Sequence, residues 1–182
     1  IQLNNDWESY PYMTDKGILQ TFIERQAPHF QIDDLEKRVK PVFVKKIKAY
    51  LAQTPVLEIK GAKAFIEKLK SNDQIMLSFA TGGWKESAIA KLESAGFDIS
   101  GIAMVSSNDH YSREVIMQMA RAKVEGNKSY PITYFGDAQW DVNTCQALEV
   151  NLVIVGNRVA YKQSIEDFTF VDKAMRFVEL LK

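Results

Sequence analysis

Residues 130–155, YPITYFGDAQWDVNTCQALEVNLVIV, restrict the fold more than any other stretch of this sequence. An apolar run at 132–135 turns at Gly136. Two carboxylates follow four residues apart, Asp137 and Asp141, and a helical pattern then runs through Cys145 and Leu148. A second apolar run at 152–155 closes the stretch before Gly156. Strand, acidic turn, helix and strand make one βαβ unit, which calls for a parallel sheet with right-handed crossovers. Ligands of such sheets bind beyond the carboxyl ends of the strands, where Asp137 falls. Two acidic oxygens there suit a hard cation such as Mg2+, which takes one or two carboxylates, keeps several waters and bridges to phosphate. The plainer reading is a Gly-Asp turn with an Asp favouring the dipole of the next helix.

Composition narrows the class. With 182 residues, 46% of them hydrophobic, the chain can build a full domain or a domain with a small appendage. Lys plus Arg and Asp plus Glu both number 23, so bulk charge points to neither nucleic acid nor a membrane surface. The single Cys145 excludes an internal disulfide and a cysteine-based zinc site, and fits a reducing cytoplasm. No apolar run approaches the roughly 20 residues of a membrane span, and no signal-peptide pattern is present.

In chain order, Thr14-Asp15 is an N-cap signal, and Ile18, Leu19, Phe22 and Ile23 recur at helical spacing until Pro28. A second helix starts at Asp33 or Asp34 with Leu35, Val39, Val42, Phe43, Ile47, Tyr50 and Leu51 on its apolar face. Pro41 predicts a kink or break in it. The chain is therefore helical to about residue 54, and Pro55-Val56 marks a boundary. Beyond it come a helix over 61–69, a strand over 74–80, the turn Thr81-Gly82-Gly83, and a helix over 84–94 stopped by Gly96. A strand at 102–105, a helix at 113–124, the βαβ unit and a closing helix within 168–181 complete the pattern. Alternating strands and helices over 60–182 give an α/β class with a three-layer, doubly wound, Rossmann-like parallel sheet.

Parallel strands share one carboxyl edge, and three polar features land on it: Thr81 with its glycines, the loop from Ser106 through Asp109 and His110, and Asp137. The Thr81 hydroxyl and the turn's N–H groups could hold a phosphate oxygen; alternatively Thr81 caps the helix that follows. Arg113 could neutralise phosphate charge with a planar fork, or be an ordinary surface arginine. His29 and His110 are not spaced for a metal or a triad. Cys145 reads as packed. Trp7, Trp84 and Trp140 read as core anchors, and Trp140, between the carboxylates, could also wall a site.

Taken together, the strand ending in ATGG, the helix opening SREVIMQMA and the segment TYFGDAQWDV resemble the haloacid dehalogenase-like superfamily, mostly Mg2+-dependent phosphatases. The helical stretch is similar to the small cap such proteins insert after their first strand, and WESYPYMTDKGI resembles the phosphoglycolate-phosphatase-like branch. The resemblance implies a helical cap at 1–55 and a core at 56–182. It implies that Thr81, with Gly82, binds the substrate phosphate, that Asp137 and Asp141 hold Mg2+, and that Arg113 stands where the family usually has a lysine. Lys123 is the weaker substitute. A small phosphorylated metabolite is the implied substrate, with Tyr10, Tyr12 and Arg25 as candidates to face it.

One element of the family pattern is absent. The superfamily's chemistry uses a DxD motif at the end of its first strand, one Asp attacking phosphorus and the other serving as acid and base. No DxD occurs in residues 1–182. The expectation is an aspartyl-phosphate enzyme whose first strand and nucleophile lie upstream of Ile1. The alternative is a non-catalytic relative that binds or regulates.

Overall fold

Thr14 starts the first helix by turning its side chain back on the chain: its Oγ1 accepts the Gly17 N–H at 2.9 Å and α1 runs Asp15–Gln26. The computed structural model describes residue 6 and residues 9–126 and 130–179; Trp7 and Leu181 lie outside them. The described residues hold seven helices and five strands. The chain divides into two compact units, Ile1–Leu57 with Ser78–Lys123, and Glu58–Leu77 with Val124–Lys182.

In the first unit, α1 and α2 (Ile32–Gln53) bury one apolar stripe each around Trp84. Leu19, Ile23, Leu35 and Trp84 form the cluster, with Phe22, Val39 and Phe43 packed against it. Pro41 does not break α2, which is continuous over 22 residues. An interior proline costs about 3 kcal/mol, and the buried turns on either side, with Leu35 and Leu51, hold the helix through it. The predicted apolar face is only partly used: Val42 and Tyr50 are exposed.

After the second unit's insertion come β1 (Ser78–Ala80), α4 (Lys85–Ser94), β2 (Ala103–Val105) and α5 (Arg113–Glu125). β1 and β2 pair in parallel, with Ala80 opposite Val105. The strand predicted over 74–80 is paired only from Ser78, because β2 offers just three residues to pair with. α4 ends as the sequence predicts. Gly96 adopts φ 76°, its N–H donates to Glu93 O and the Phe97 N–H donates to Leu92 O, a Schellman closure. Val105, Ile116 and Ala120 make a second buried cluster between β2 and α5.

The second unit contains α3 (Ala62–Lys70), β3 (Thr133–Gly136), α6 (Gln139–Ala147), β4 (Asn151–Val155), β5 (Ser164–Ile165) and α7 (Val171–Glu179). Its strands are ordered β3-β4-β5, all parallel. The predicted βαβ unit is β3-α6-β4, with Tyr134 opposite Leu152. β5, two residues long, carries no apolar run that would announce it. Phe65 stacks on Phe168 at 4.7 Å and meets Phe135 edge-on at 5.1 Å. Gly61 admits this packing: at φ 79° its Cβ would lie 2.2 Å from the Phe168 carbonyl oxygen. The α/β class with parallel sheets is as the sequence indicates.

Candidate functional site

In the first unit the chain leaves β1 into Thr81-Gly82-Gly83. Thr81 donates its N–H to Val105 O at 2.9 Å, which fixes it to the end of β2. Its Oγ1 accepts the Gly83 N–H at 3.1 Å, so the hydroxyl closes the turn rather than capping α4. An oxygen that accepts from Gly83 still has its own proton to give to an anion.

Arg113, the first residue of α5, reaches the same turn. Its Nη2 donates to Met13 O at 3.2 Å, and a Cβ on Gly82 would stand 2.7 Å from that nitrogen. Only glycine lets the guanidinium lie this close to the backbone. Thr81, Gly82 and Arg113 thus converge on one cavity of ≈ 490 Å³, which Met13, Thr14, Asp15, Gly83 and Lys91 also line. Phe79, Met104, Ile18 and Leu92 supply its apolar walls. Lys123 sits ten residues along α5 from Arg113, about 15 Å away at the helical rise, and does not line the cavity.

The loop after β2 braces this arrangement. Asp109 Oδ2 accepts the Ser106 N–H at 2.9 Å and the Ser106 hydroxyl at 3.1 Å. His110 accepts the Ser112 N–H at 2.9 Å through Nδ1 and stacks on Tyr111. Both are loop-shaping groups. Tyr10 is buried, Tyr12 meets the Tyr111 ring edge-on, and Arg25 donates to Ser9 O; none of the three lines the cavity.

In the second unit the two carboxylates of the acidic turn have different surroundings. Asp141 is 2% exposed, and its Oδ2 accepts the N–H groups of Asp137 at 3.0 Å and Ala138 at 3.1 Å. Ala138 is the N-cap of α6 and has no side chain to cap with, so Asp141 reaches back to serve the first orphan donors. Asp137, with a side chain 49% exposed, carries its Oδ2 3.1 Å from Arg158 Nη1. Trp140 is partly buried and Cys145 fully packed in α6.

The chemistry of this pair can be set against a hard divalent cation. Asp137 already has a cationic group at its carboxylate, in a half-open position that suits a partly hydrated ion. Asp141 has one oxygen committed to the backbone, so its first task is shaping the turn. No cluster of three or more His, Cys, Asp or Glu able to hold a metal occurs among the described residues. Of the two carboxylates of this turn, Asp137 is the one open enough to meet a partly hydrated cation.

Several groups at these places escape a sequence reading. Asp15 looks like a helix-start residue, yet its Oδ2 accepts the Trp84 N–H at 2.7 Å. Burial pushes the Asp15 carboxyl above its ordinary value of 3.8, against the pull of the Trp84 N–H and of the Lys91 charge. Ser107 accepts the Lys16 N–H, and Glu36 accepts from the Trp84 indole while pairing with Lys16. Arg158 follows β4 with no local pattern to mark it.

A family model described as haloacid dehalogenase-like hydrolase matches residues 8–155. No curated protein matches the chain. Among solved structures, a hydrolase from Pseudomonas syringae shares 19% identity with a TM-score of 0.67, over 93% of this chain and 80% of that one. CbbY from Rhodobacter sphaeroides in complex with phosphate shares 14% identity with a TM-score of 0.64, over 87% of this chain and 75% of that one. These likenesses carry the fold.

Proposed function

The chain belongs to the haloacid dehalogenase-like hydrolase family, and from that premise we propose that it is a Mg2+-dependent phosphatase of a small phosphorylated metabolite. The observation that carries this reading is the convergence of Thr81, Gly82 and Arg113 on one cavity. A phosphate seated there takes the Thr81 proton on one oxygen, since the hydroxyl's acceptor side is already held by Gly83. Arg113 offers a planar fork of donors and a permanent positive charge. Asp137 would hold Mg2+, with Asp141 keeping the turn in shape, and the chemistry such an ion would supply is neutralisation of phosphoryl charge.

The reaction calls for a carboxylate nucleophile and an aspartyl-phosphate, which the DxD-free residues 1–182 do not supply. Residues 1–55 act as the helical cap that shields and selects the substrate, and 56–182 as the core. The low cysteine content supports a cytoplasmic setting, and no helix of the described residues is long and apolar enough to cross a membrane. The test is Asp137→Asn in the complete protein, read by Mg2+-dependent phosphate release from a panel of phosphomonoesters. Turnover is expected to be nearly abolished; unchanged turnover sinks the assignment.

A second reading has its own support: Arg113 stands where the family's lysine is expected, and no DxD is present in residues 1–182. On it the protein binds phosphorylated ligands without hydrolysing them. Phosphate binding by the complete protein, with no turnover of any phosphomonoester in Mg2+, would establish this reading over the first.

A further inference from the structure

The start of α4 lacks a cap of its own. Its N-cap residue is Trp84, whose indole cannot accept a hydrogen bond, so the first amides of the helix need acceptors from elsewhere. Asn108 Oδ1 takes the Lys85 N–H at 3.0 Å. Asp15 Oδ2, from the first turn of α1, takes the Trp84 N–H at 2.7 Å. The backbone of the same Asp15 donates its N–H to Gly82 O at 2.7 Å. One residue therefore grips the turn at 82 and at 84, with Gly83 between.

The neighbours of Asp15 strengthen the seat. Thr14 Oγ1 donates to Tyr111 O at 2.6 Å, and the Lys16 N–H donates to Ser107 Oγ at 2.7 Å. Residues 14–16 thus bind both loops that follow the two strands of this unit. Thr81 Oγ1 and Asp15 Oδ2 flank the same glycine, 3.5 and 3.7 Å from where a Gly83 Cβ would stand. The bond that orients the Thr81 hydroxyl, Gly83 N–H to Thr81 Oγ1, lies inside the segment that Asp15 holds.

We infer that Asp15 is a positioning residue of the phosphate-binding turn: by gripping Gly82 and Trp84 it keeps the Thr81 hydroxyl presented to the cavity. The inference rests on the proposal that this turn binds phosphate. A carboxylate beside an anion site works against affinity through its charge, so the role of Asp15 lies in its acceptor geometry. That distinction is measurable. Asparagine keeps an acceptor oxygen and removes the charge, whereas alanine removes both.

The experiment uses the complete protein and inorganic phosphate as probe, with the dissociation constant read by calorimetry and the Trp84 amide followed by hydrogen exchange. D15A should weaken phosphate binding by about tenfold or more and speed exchange at Trp84, the loss expected when a backbone amide is left without its acceptor. D15N should stay within about threefold of wild type. D15A binding phosphate as wild type does, or D15N losing as much as D15A, overturns the positioning role. A wild-type protein that binds no phosphate overturns the phosphate reading itself, and exchange at Trp84 then still reports whether Asp15 holds the turn.

Discussion

Asp137 and Asp141 stand four residues apart in one motif, and the second carboxylate holds the backbone of the first: Asp141 Oδ2 accepts the Asp137 N–H at 3.0 Å. The buried acid builds the turn that displays the exposed one. This division of labour gives the two positions opposite mutational signatures.

Asp141→Ala leaves the N–H groups of Asp137 and Ala138 without their acceptor and should destabilise the protein by about 2–4 kcal/mol, the range for breaking a buried charged hydrogen-bond set. Asp141→Asn should cost less, because its amide oxygen can still accept. Asp137→Ala gives up only an ion pair with Arg158, whose side chain is 71% exposed, and should change stability by less than about 1 kcal/mol. Urea denaturation of the three variants measures the contrast.

Gly136 is required by the same buried carboxyl. A Cβ there would lie 2.7 Å from Asp141 Cγ. Gly136→Ala must displace the Asp141 side chain from its bonds, with an expected loss of about 1–3 kcal/mol. A Cβ on Gly136 would also lie 2.8 Å from Asp141 Cβ, so the control is Asp141→Gly: if the double variant is no less stable than Asp141→Gly alone, the clash is confirmed as the cause.

Trp84→Phe tests the other buried polar contact. Phenylalanine keeps a ring among Leu19, Ile23 and Leu35 but is smaller than the indole, and it removes the Nε1 bond to Glu36 Oε1 at 3.1 Å. Lys16 Nζ remains 3.0 Å from Glu36 Oε2 and Lys40 Nζ 3.7 Å from Oε1, so the carboxylate keeps two cationic partners and the cost should be about 1–3 kcal/mol. A thermal melt followed by circular dichroism reads it.

Asp15 carries a pH signature. Its folded-state carboxyl titrates above the ordinary 3.8, chiefly because of burial. The native state therefore holds the proton more tightly than the unfolded chain. That contribution is fully present below 3.8 and is lost as pH rises through the raised folded value. Wild type should lose stability relative to Asp15→Asn as pH climbs from about 3 to about 7. Denaturation midpoints of the two proteins across that window provide the measurement, and a difference that does not vary with pH would contradict it.

Much of the fold is legible because its signals are local. The Thr14 cap, the Gly96 stop and the β3-α6-β4 order each depend on a few adjacent residues, and each is where the sequence places it. The readings that shift are those that depend on partners. β1 is shorter than its apolar run because a strand is defined by what pairs with it, and β2 supplies three residues. Pro41 carries a local instruction to bend or break, and the packing on both sides of it keeps α2 continuous.

The same line runs through the candidate site. Residue types and spacing determined the parallel α/β class and the acidic turn after a strand, and they singled out Thr81, Gly82, Arg113, Asp137 and Asp141 as candidates. Only the tertiary structure decided what each group does with its hydrogen bonds. It buried Asp141 and left Asp137 half open, and it turned Asp15 across 69 positions of sequence to cap a helix that cannot cap itself. The physical reason is that propensity and periodicity act over a few residues. A buried acceptor, by contrast, is chosen by whichever orphan donor the folded chain brings within reach.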